Sequence, residues 1–93
     1  MIQSFKCSET KLIWEGRVSK KLPLQIQQVT RRKLRMLNNA LNLNDLSIPP
    51  ANKLEPLRRD RQGQYSIRVN NQWRLCFRWL DGDVFGVELI DYH

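Results

Sequence analysis

The stretch that decides the fold runs Gln64-Tyr65-Ser66-Ile67-Arg68-Val69-Asn70-Asn71-Gln72-Trp73-Arg74-Leu75-Cys76-Phe77-Arg78-Trp79-Leu80-Asp81-Gly82-Asp83-Val84-Phe85-Gly86-Val87-Glu88-Leu89. Successive side chains of a strand point to opposite faces, so Tyr65, Ile67 and Val69 share one side and Gln64, Ser66 and Arg68 the other. Trp73, Leu75, Phe77 and Trp79 alternate in the same way with Arg74, Cys76 and Arg78. One face of the sheet is therefore expected to be apolar and its reverse basic. The turns set the register. A two-residue turn centred on Asp81-Gly82 would put Phe77 opposite Gly86 and Leu75 opposite Glu88, which spoils the apolar face. A three-residue loop, Leu80-Asp81-Gly82, with Gly82 left-handed, puts Phe77 opposite Phe85, Leu75 opposite Val87 and Trp73 opposite Leu89, and burial favours it. That register also sets Arg74 opposite Glu88, and a three-residue loop at Asn70-Asn71-Gln72 sets Arg68 opposite Arg74. Like charges across a ladder cost stability unless Glu88 or a bound anion compensates, so the arginines mark a candidate site. Trp73, Phe77, Trp79 and Phe85 are expected to pack in the core.

Upstream, Ile2-Gln3-Ser4-Phe5 reads as a short strand, and Ser8 to Trp14 as a helix that Ser8 would cap. Leu22-Pro23-Leu24 opens a second helix, because proline is tolerated in the first turn and no Gly or Pro interrupts the run to Leu41 or Leu43. Leu24, Ile26, Val29, Leu34, Leu37 and Leu41 form its apolar stripe; Gln27, Gln28, Arg31, Arg32 and Arg35 face largely outward. At 1.5 Å per residue it would be nearly 30 Å long. Asn42 to Asn52, with Ile48-Pro49-Pro50, stops the helix. The expected architecture is an α+β domain over residues 1–93, with about four antiparallel strands covered on one face by two N-terminal helices.

The 93-residue chain leaves no room for a second core or a long linker. Its net charge of +7 favours a polyanion or an acidic protein as partner. Thirteen basic and five acidic residues fall in 1–61, a surplus of +8, against three and four, or −1, in 62–93. No repeat or Gly/Ser tract separates the two parts. Cys7 and Cys76 lack metal-ligand spacing and a C-x-x-C unit, which gives no ground for a zinc site or a disulfide scaffold. No apolar run suggests a signal peptide or a membrane span, so the cytosol is the expected compartment.

Chemistry-bearing residues gather in Lys53-Leu54-Glu55-Pro56-Leu57-Arg58-Arg59-Asp60-Arg61 and in Asp91-Tyr92-His93. RNA cleavage without a metal or cofactor needs a base for the 2′-OH, cations for the phosphorane and an acid for the departing 5′-oxygen. Arg58 and Arg74 suit the phosphorane, since guanidinium stays charged and binds phosphate as a rigid fork. Glu55 or Asp91 would be the base, His93 the acid, and Tyr92 a stacking or orienting group. None of these spacings is specific. Glu55 would as readily pair with Arg58, and Asp91 with a basic neighbour. Lys53, Arg59, Arg61, Arg68 and Arg78 add RNA-binding charge. Arg31-Arg32-Lys33-x-Arg35 on the helix would be a solvated face or a contact to ribosomal RNA or an acidic partner.

Read as a whole, the chain resembles the HigB toxins of bacterial type II toxin-antitoxin systems, a branch of the RelE/ParE superfamily. The residues that carry the resemblance are Ile2-Gln-Ser-Phe, Lys53-Leu-Glu-Pro-Leu, Asp60-Arg-Gln-Gly-Gln-Tyr-Ser-Ile-Arg, Asn71-Gln-Trp-Arg-Leu-Cys-Phe-Arg-Trp, Asp81-Gly-Asp and Glu88-Leu-Ile-Asp-Tyr-His. The resemblance implies a microbial RNase-like RelE/ParE fold and a toxin that enters the ribosomal A site and cleaves translated mRNA. It also implies a HigA-like helix-turn-helix antitoxin, with operator DNA bound only through the toxin-antitoxin complex. By motif, the family's catalytic positions fall on Glu55, Arg58, Arg74, Asp91, Tyr92 and His93. Some relatives have histidine at the position of Glu55, and lysine followed by glycine where this chain has Arg58-Arg59. Glutamate would serve as a base but cannot donate as an imidazolium does. A ParE-like gyrase inhibitor and a non-catalytic basic binding module are the alternatives.

Overall fold

The structure, a computed structural model, describes residues 1–57 and 63–91. Helix α1 spans Ser8–Trp14 and α2 spans Leu24–Asn39; two short 3₁₀ turns, Leu43–Ser47 and Pro50–Asn52, follow. The strands are β1 Glu55–Pro56, β2 Gln64–Arg68, β3 Trp73–Leu80 and β4 Asp83–Asp91. They form one four-stranded sheet in the order β1-β2-β3-β4, and every neighbouring pair is antiparallel.

Helix α1 begins after Cys7, whose backbone is extended, so Ser8 is the first helical residue rather than the expected cap. It ends in a Schellman arrangement. Gly16, at φ +84, donates its N–H to the Ile13 carbonyl, and Arg17 donates to the Leu12 carbonyl. Arg31 of α2 donates from Nε to the Ile13 carbonyl at 2.8 Å, placing a cation against the negative end of α1. One of the arginines expected to face outward thus ties the two helices together.

The second helix differs from expectation at both ends and on one face. Pro23 sits just outside it, and Leu24 is 69% exposed. It stops at Asn39, about 24 Å from its start at 1.5 Å per residue, because the next segment has its own capping box. Asp45 accepts from the Leu41 and Asn42 amides, while Asn42 Oδ1 accepts from the Asp45 amide. Leu41 is left 86% exposed instead of completing the apolar stripe. Gln27, assigned outward by composition, is buried. Its Nε2 donates to the carbonyls of Ser19 and Leu22, and its Oε1 accepts the Ser19 amide, so its polarity is consumed in fixing the connection between the helices.

In the sheet, Arg68 faces Arg74 and Tyr65 faces Phe77, the register expected for β2 and β3. The β3–β4 register is different. Asp81 and Gly82, with φ of +51 and +84, form a two-residue turn that pairs Leu80 with Asp83. Positive φ at both central residues is the type I′ signature that Asp-Gly favours, so local turn chemistry overrode the longer loop. The facing problem this creates is solved by a bulge. Between the pairs Arg78↔Phe85 and Cys76↔Glu88, β3 has only Phe77 where β4 has Gly86 and Val87. Leu75 then faces Leu89. Val84 and Val87 both turn inward and are fully buried. Gly86 adopts φ +61 at the bulge, a conformation other residues rarely take. Phe85 is displaced from its expected core position, and Glu88 faces Cys76 rather than Arg74.

The bulge also shapes the N-terminal pairing. Ile2 and Phe5 form isolated parallel bridges with Val84 and Val87 instead of a continuous ladder, and Ser4 Oγ accepts the Gly86 amide at 2.9 Å. On the apolar face Ile67, Leu75, Phe77, Val84, Val87 and Leu89 pack against Ile13, Ile26, Leu34 and Leu37. Trp14, Trp73 and Trp79 pack at its margin. Among the described residues no helix is long and apolar enough to cross a membrane.

Phe77 is 1% exposed, whereas Phe85 lies outside the core cluster. Phe77→Ala should therefore cost about 3–5 kcal/mol of unfolding free energy in a urea titration. Phe85→Ala should cost about 1 kcal/mol or less, as expected for a side chain outside a packed core. Equal losses would restore the three-residue-loop register.

Candidate active site

Alternation and register place three rows of side chains on the basic face of the sheet. Glu55, Ser66, Cys76 and Glu88 form one row; Arg68, Arg74 and Ile90 flank it on one side, and Gln64, Arg78 and Phe85 on the other. Arg74 is the most enclosed of the arginines in these rows, at 9% exposed. Its Nε donates to Ser66 Oγ at 2.8 Å, and its Nη2 donates to the Lys53 carbonyl at 2.6 Å and the Ser66 carbonyl at 3.3 Å. All three acceptors are neutral. They fix the guanidinium plane without cancelling its charge, and Nη1 makes no hydrogen bond among the described residues. A buried cation held in this way is suited chemically to receiving an anion. Arg68 stands opposite, hydrogen-bonded to Asn71 Oδ1, and keeps the local field positive. The expected relief by Glu88 does not come through the ladder: Glu88 carries an ion pair to Lys6 at 3.4 Å.

The Lys53 carbonyl is presented by an unusual backbone. Lys53 has φ +44 and follows the turn Pro50–Asn52, and its amide donates to the Pro50 carbonyl. Asn52, wholly buried, anchors this turn by donating from Nδ2 to the Leu46 carbonyl and accepting from Lys33 Nζ through Oδ1. Lys33 is itself buried on α2. A path of direct contacts thus runs from α2 through Asn52 and the Lys53 backbone to Arg74. Sequence reasoning missed Lys33, Asn52 and Ser66. Lys33 was hidden in a basic run that reads as solvated, but its position between the buried Thr30 and Leu34 was a usable signal.

Of the other expected site residues, Glu55 is exposed on β1, directly opposite Ser66, and so borders the Arg74 cluster. Asp91 ends β4 opposite Trp73, one residue out of phase with Arg74, and accepts from Gln72 Nε2 at 3.1 Å. Lys53 and Arg78 are exposed and Arg68 is half-buried. Arg58, Arg59, Arg61, Tyr92 and His93 lie outside the described residues. Cys7 and Cys76 are free, and the described residues contain no group of three or more His, Cys, Asp or Glu able to hold a metal ion.

A family described as the RelE-like toxin of type II toxin-antitoxin system HigB matches residues 3–93. This chain belongs to that toxin family. The chain is 34% identical to the protein named Endoribonuclease HigB from Proteus vulgaris over the full length of both. It is 46% identical over 61 residues to Toxin HigB-1 of Vibrio cholerae, covering 66% of this chain and 64% of that one. Among solved structures, a YafQ mutant from E. coli superposes with TM-score 0.65 at 17% identity, covering 98% of this chain and 91% of the other. The YoeB dimer of Staphylococcus aureus gives 0.56 at 21% identity, with 99% and 94% covered. These structural likenesses share the RelE/ParE-like fold with this HigB-family toxin: two N-terminal helices against a four-stranded antiparallel sheet.

Burial, with added repulsion from Arg32 and Arg68, lowers the Lys33 ammonium below its ordinary 10.5. The folded chain resists this proton more than the unfolded chain does. The penalty is full below the lowered folded value and vanishes above 10.5, so stability at this position rises with pH between the two. Urea unfolding across the alkaline range should therefore show a steeper rise for the native protein than for Lys33→Met. Parallel curves would mean that the fold does not disfavour the Lys33 ammonium.

Proposed function

We propose that this chain, as a single toxin domain over residues 1–93, is a ribosome-dependent endoribonuclease that cleaves translated mRNA and so stops protein synthesis. The observation that carries the reading is Arg74, a buried guanidinium fixed by neutral acceptors on the basic face of the sheet. Membership of the HigB toxin family and the full-length likeness to a protein named as an endoribonuclease support it.

In this mechanism the RNA supplies its own nucleophile. The 2′-OH attacks the adjacent phosphorus, and the bond to the 5′-oxygen breaks, leaving a 2′,3′-cyclic phosphate and a free 5′-hydroxyl. Arg74 and Arg58 neutralise the equatorial oxygens of the phosphorane. Glu55 takes the 2′-OH proton, and His93 gives one to the departing oxygen. Asp91 and Tyr92 position these groups or the RNA. Lys53, Arg59, Arg61, Arg68 and Arg78 hold the backbone of the message. No cofactor enters the scheme. The fold contributes electrostatics while the ribosome contributes much of the substrate alignment, which suits so small a domain. A HigA-like helix-turn-helix antitoxin neutralises the protein, operator DNA is bound only through that complex, and the site of action is the cytoplasm.

Mapping mRNA 5′ ends in a translation reaction tests this directly. Cuts should appear only when ribosomes are present. Arg74→Gln should reduce the cleavage rate by about 10²–10³-fold while the folded state survives a thermal melt. Inhibited synthesis with intact message, or blocked DNA gyrase with no cleavage, would sink the ribonuclease reading.

A further inference from the structure

The tight Asp81-Gly82 turn leaves one feature that packing does not account for. It puts Phe85 outside the core and on the basic face, opposite Arg78, where a three-residue loop would have buried the ring, and the bulge beyond it restores the apolar phase for Val87 and Leu89 without returning Phe85 to the core. Phe85 there lines a groove of about 330 Å³ with Ser4, Lys6, Gln64, Arg78 and Gly86. The guanidinium carbon of Arg78 lies 5.8 Å from the centre of the Phe85 ring, and Lys6 is largely exposed at the groove margin. Bulges recur beside functional sites. Here the turn and the bulge together set an aromatic ring beside Arg78 and near Lys6, which is ion-paired to Glu88, outside the Arg74 cluster.

The combination has a chemical counterpart. Single-stranded RNA offers a flat π-face and a negative phosphate at every nucleotide, and it is held by aromatic or guanidinium planes within basic grooves. An acidic peptide would use Lys6 and Arg78 but gain little from the ring. We propose that this groove is a nucleotide subsite, with the base stacked against the Phe85–Arg78 layer and the phosphate neutralised by Arg78 and by Lys6, which exchanges its Glu88 partner for the phosphate. Arg78 lies four residues along β3 from Arg74, about 13 Å in an extended strand, so the subsite holds a nucleotide beside the scissile bond rather than at it. The proposal rests on the ribonuclease reading for its biological role. Its binding step is measurable without cleavage.

The test is a nuclear magnetic resonance titration of the full chain with a three-nucleotide RNA carrying 2′-O-methyl groups, which cannot be cleaved. A second oligonucleotide is abasic at its centre. The Phe85 ring and Arg78 Nε–H signals should shift with the first. Native protein should bind the abasic version about tenfold more weakly, a loss typical of one stacked base. Phe85→Leu should bind the intact version about tenfold more weakly, with no further loss for the abasic one, whereas Phe85→Tyr should behave as native. On programmed ribosomes Phe85→Leu should raise the KM for cleavage while kcat is kept. Shifts confined to other residues, or intact-RNA binding by Phe85→Leu equal to native, would overturn the subsite. So would perturbation of Phe85 by an acidic peptide but not by RNA. Intact stacking without ribosomal cleavage would instead defeat the ribonuclease reading and leave the nucleotide subsite standing.

Discussion

The extra residue in β4 opposite Phe77 is the constraint on which the sheet depends. Asp81-Gly82 imposes a tight turn, and continuing its register would have put Glu88 against Leu75 and turned the second half of β4 inside out. Placing Gly86 and Val87 opposite one residue shifts the phase. Val84 on one side of the bulge and Val87 on the other then both reach the core. Phe85, just before the bulge, is left on the basic face. The turn thus places the aromatic ring among cations, and the bulge completes the core beyond it. Glycine at its head makes the irregularity accessible without strain.

The same economy governs Arg74. Burying an arginine is unfavourable unless its donors are met, and a carboxylate would meet them while cancelling the charge. Carbonyl and hydroxyl oxygens meet them and leave the charge available. The Lys53 carbonyl is presented by a left-handed residue after a turn anchored by a buried asparagine, which is itself bonded to a buried lysine in the middle of α2. The lysine ammonium is disfavoured there by burial and by the charges of Arg32 and Arg68.

Much of this was legible in the chain, and what was not has identifiable causes. Strict alternation from Gln64 to Trp79 revealed two faces and the arginine opposition, because period-two patterning reports burial directly. The extent of helix α1 was legible too, although its cap falls on Cys7 rather than Ser8. The β3–β4 register was misread because the apolar pattern permits two solutions of the same parity, a longer loop or a short turn with a bulge, and only backbone preference at Asp81-Gly82 separates them. The ends of α2 were misread because leucine carries no label of exposure, and the capping competition from Asn42 and Asp45 lies beyond the stripe. Gln27 and Lys33 were misread because polar residues were taken as solvated, although their partners lie in loops that no periodicity describes. At the site, only the family resemblance joined Glu55 to Arg74; the residues alone put Glu55 in a basic loop, whereas it stands on β1 opposite Ser66. The relation of Asp91 to them depends on a register that the bulge alone determines.

The pairing of residues 2–6 with β4 carries a consequence for how the molecule comes into being. The Ser4 hydroxyl meets the Gly86 amide across a sequence separation of 82, and the neighbouring backbone bonds span similar distances. A ribosome makes the early segment long before its partners exist, and contacts so remote in sequence carry the largest loop-closure cost and tend to form late. The outer margin of β4, including the wall of the Phe85 groove, stays open until the distal strand has left the exit tunnel. Closure of the fold along this margin is thereby tied to the emergence of its last strand.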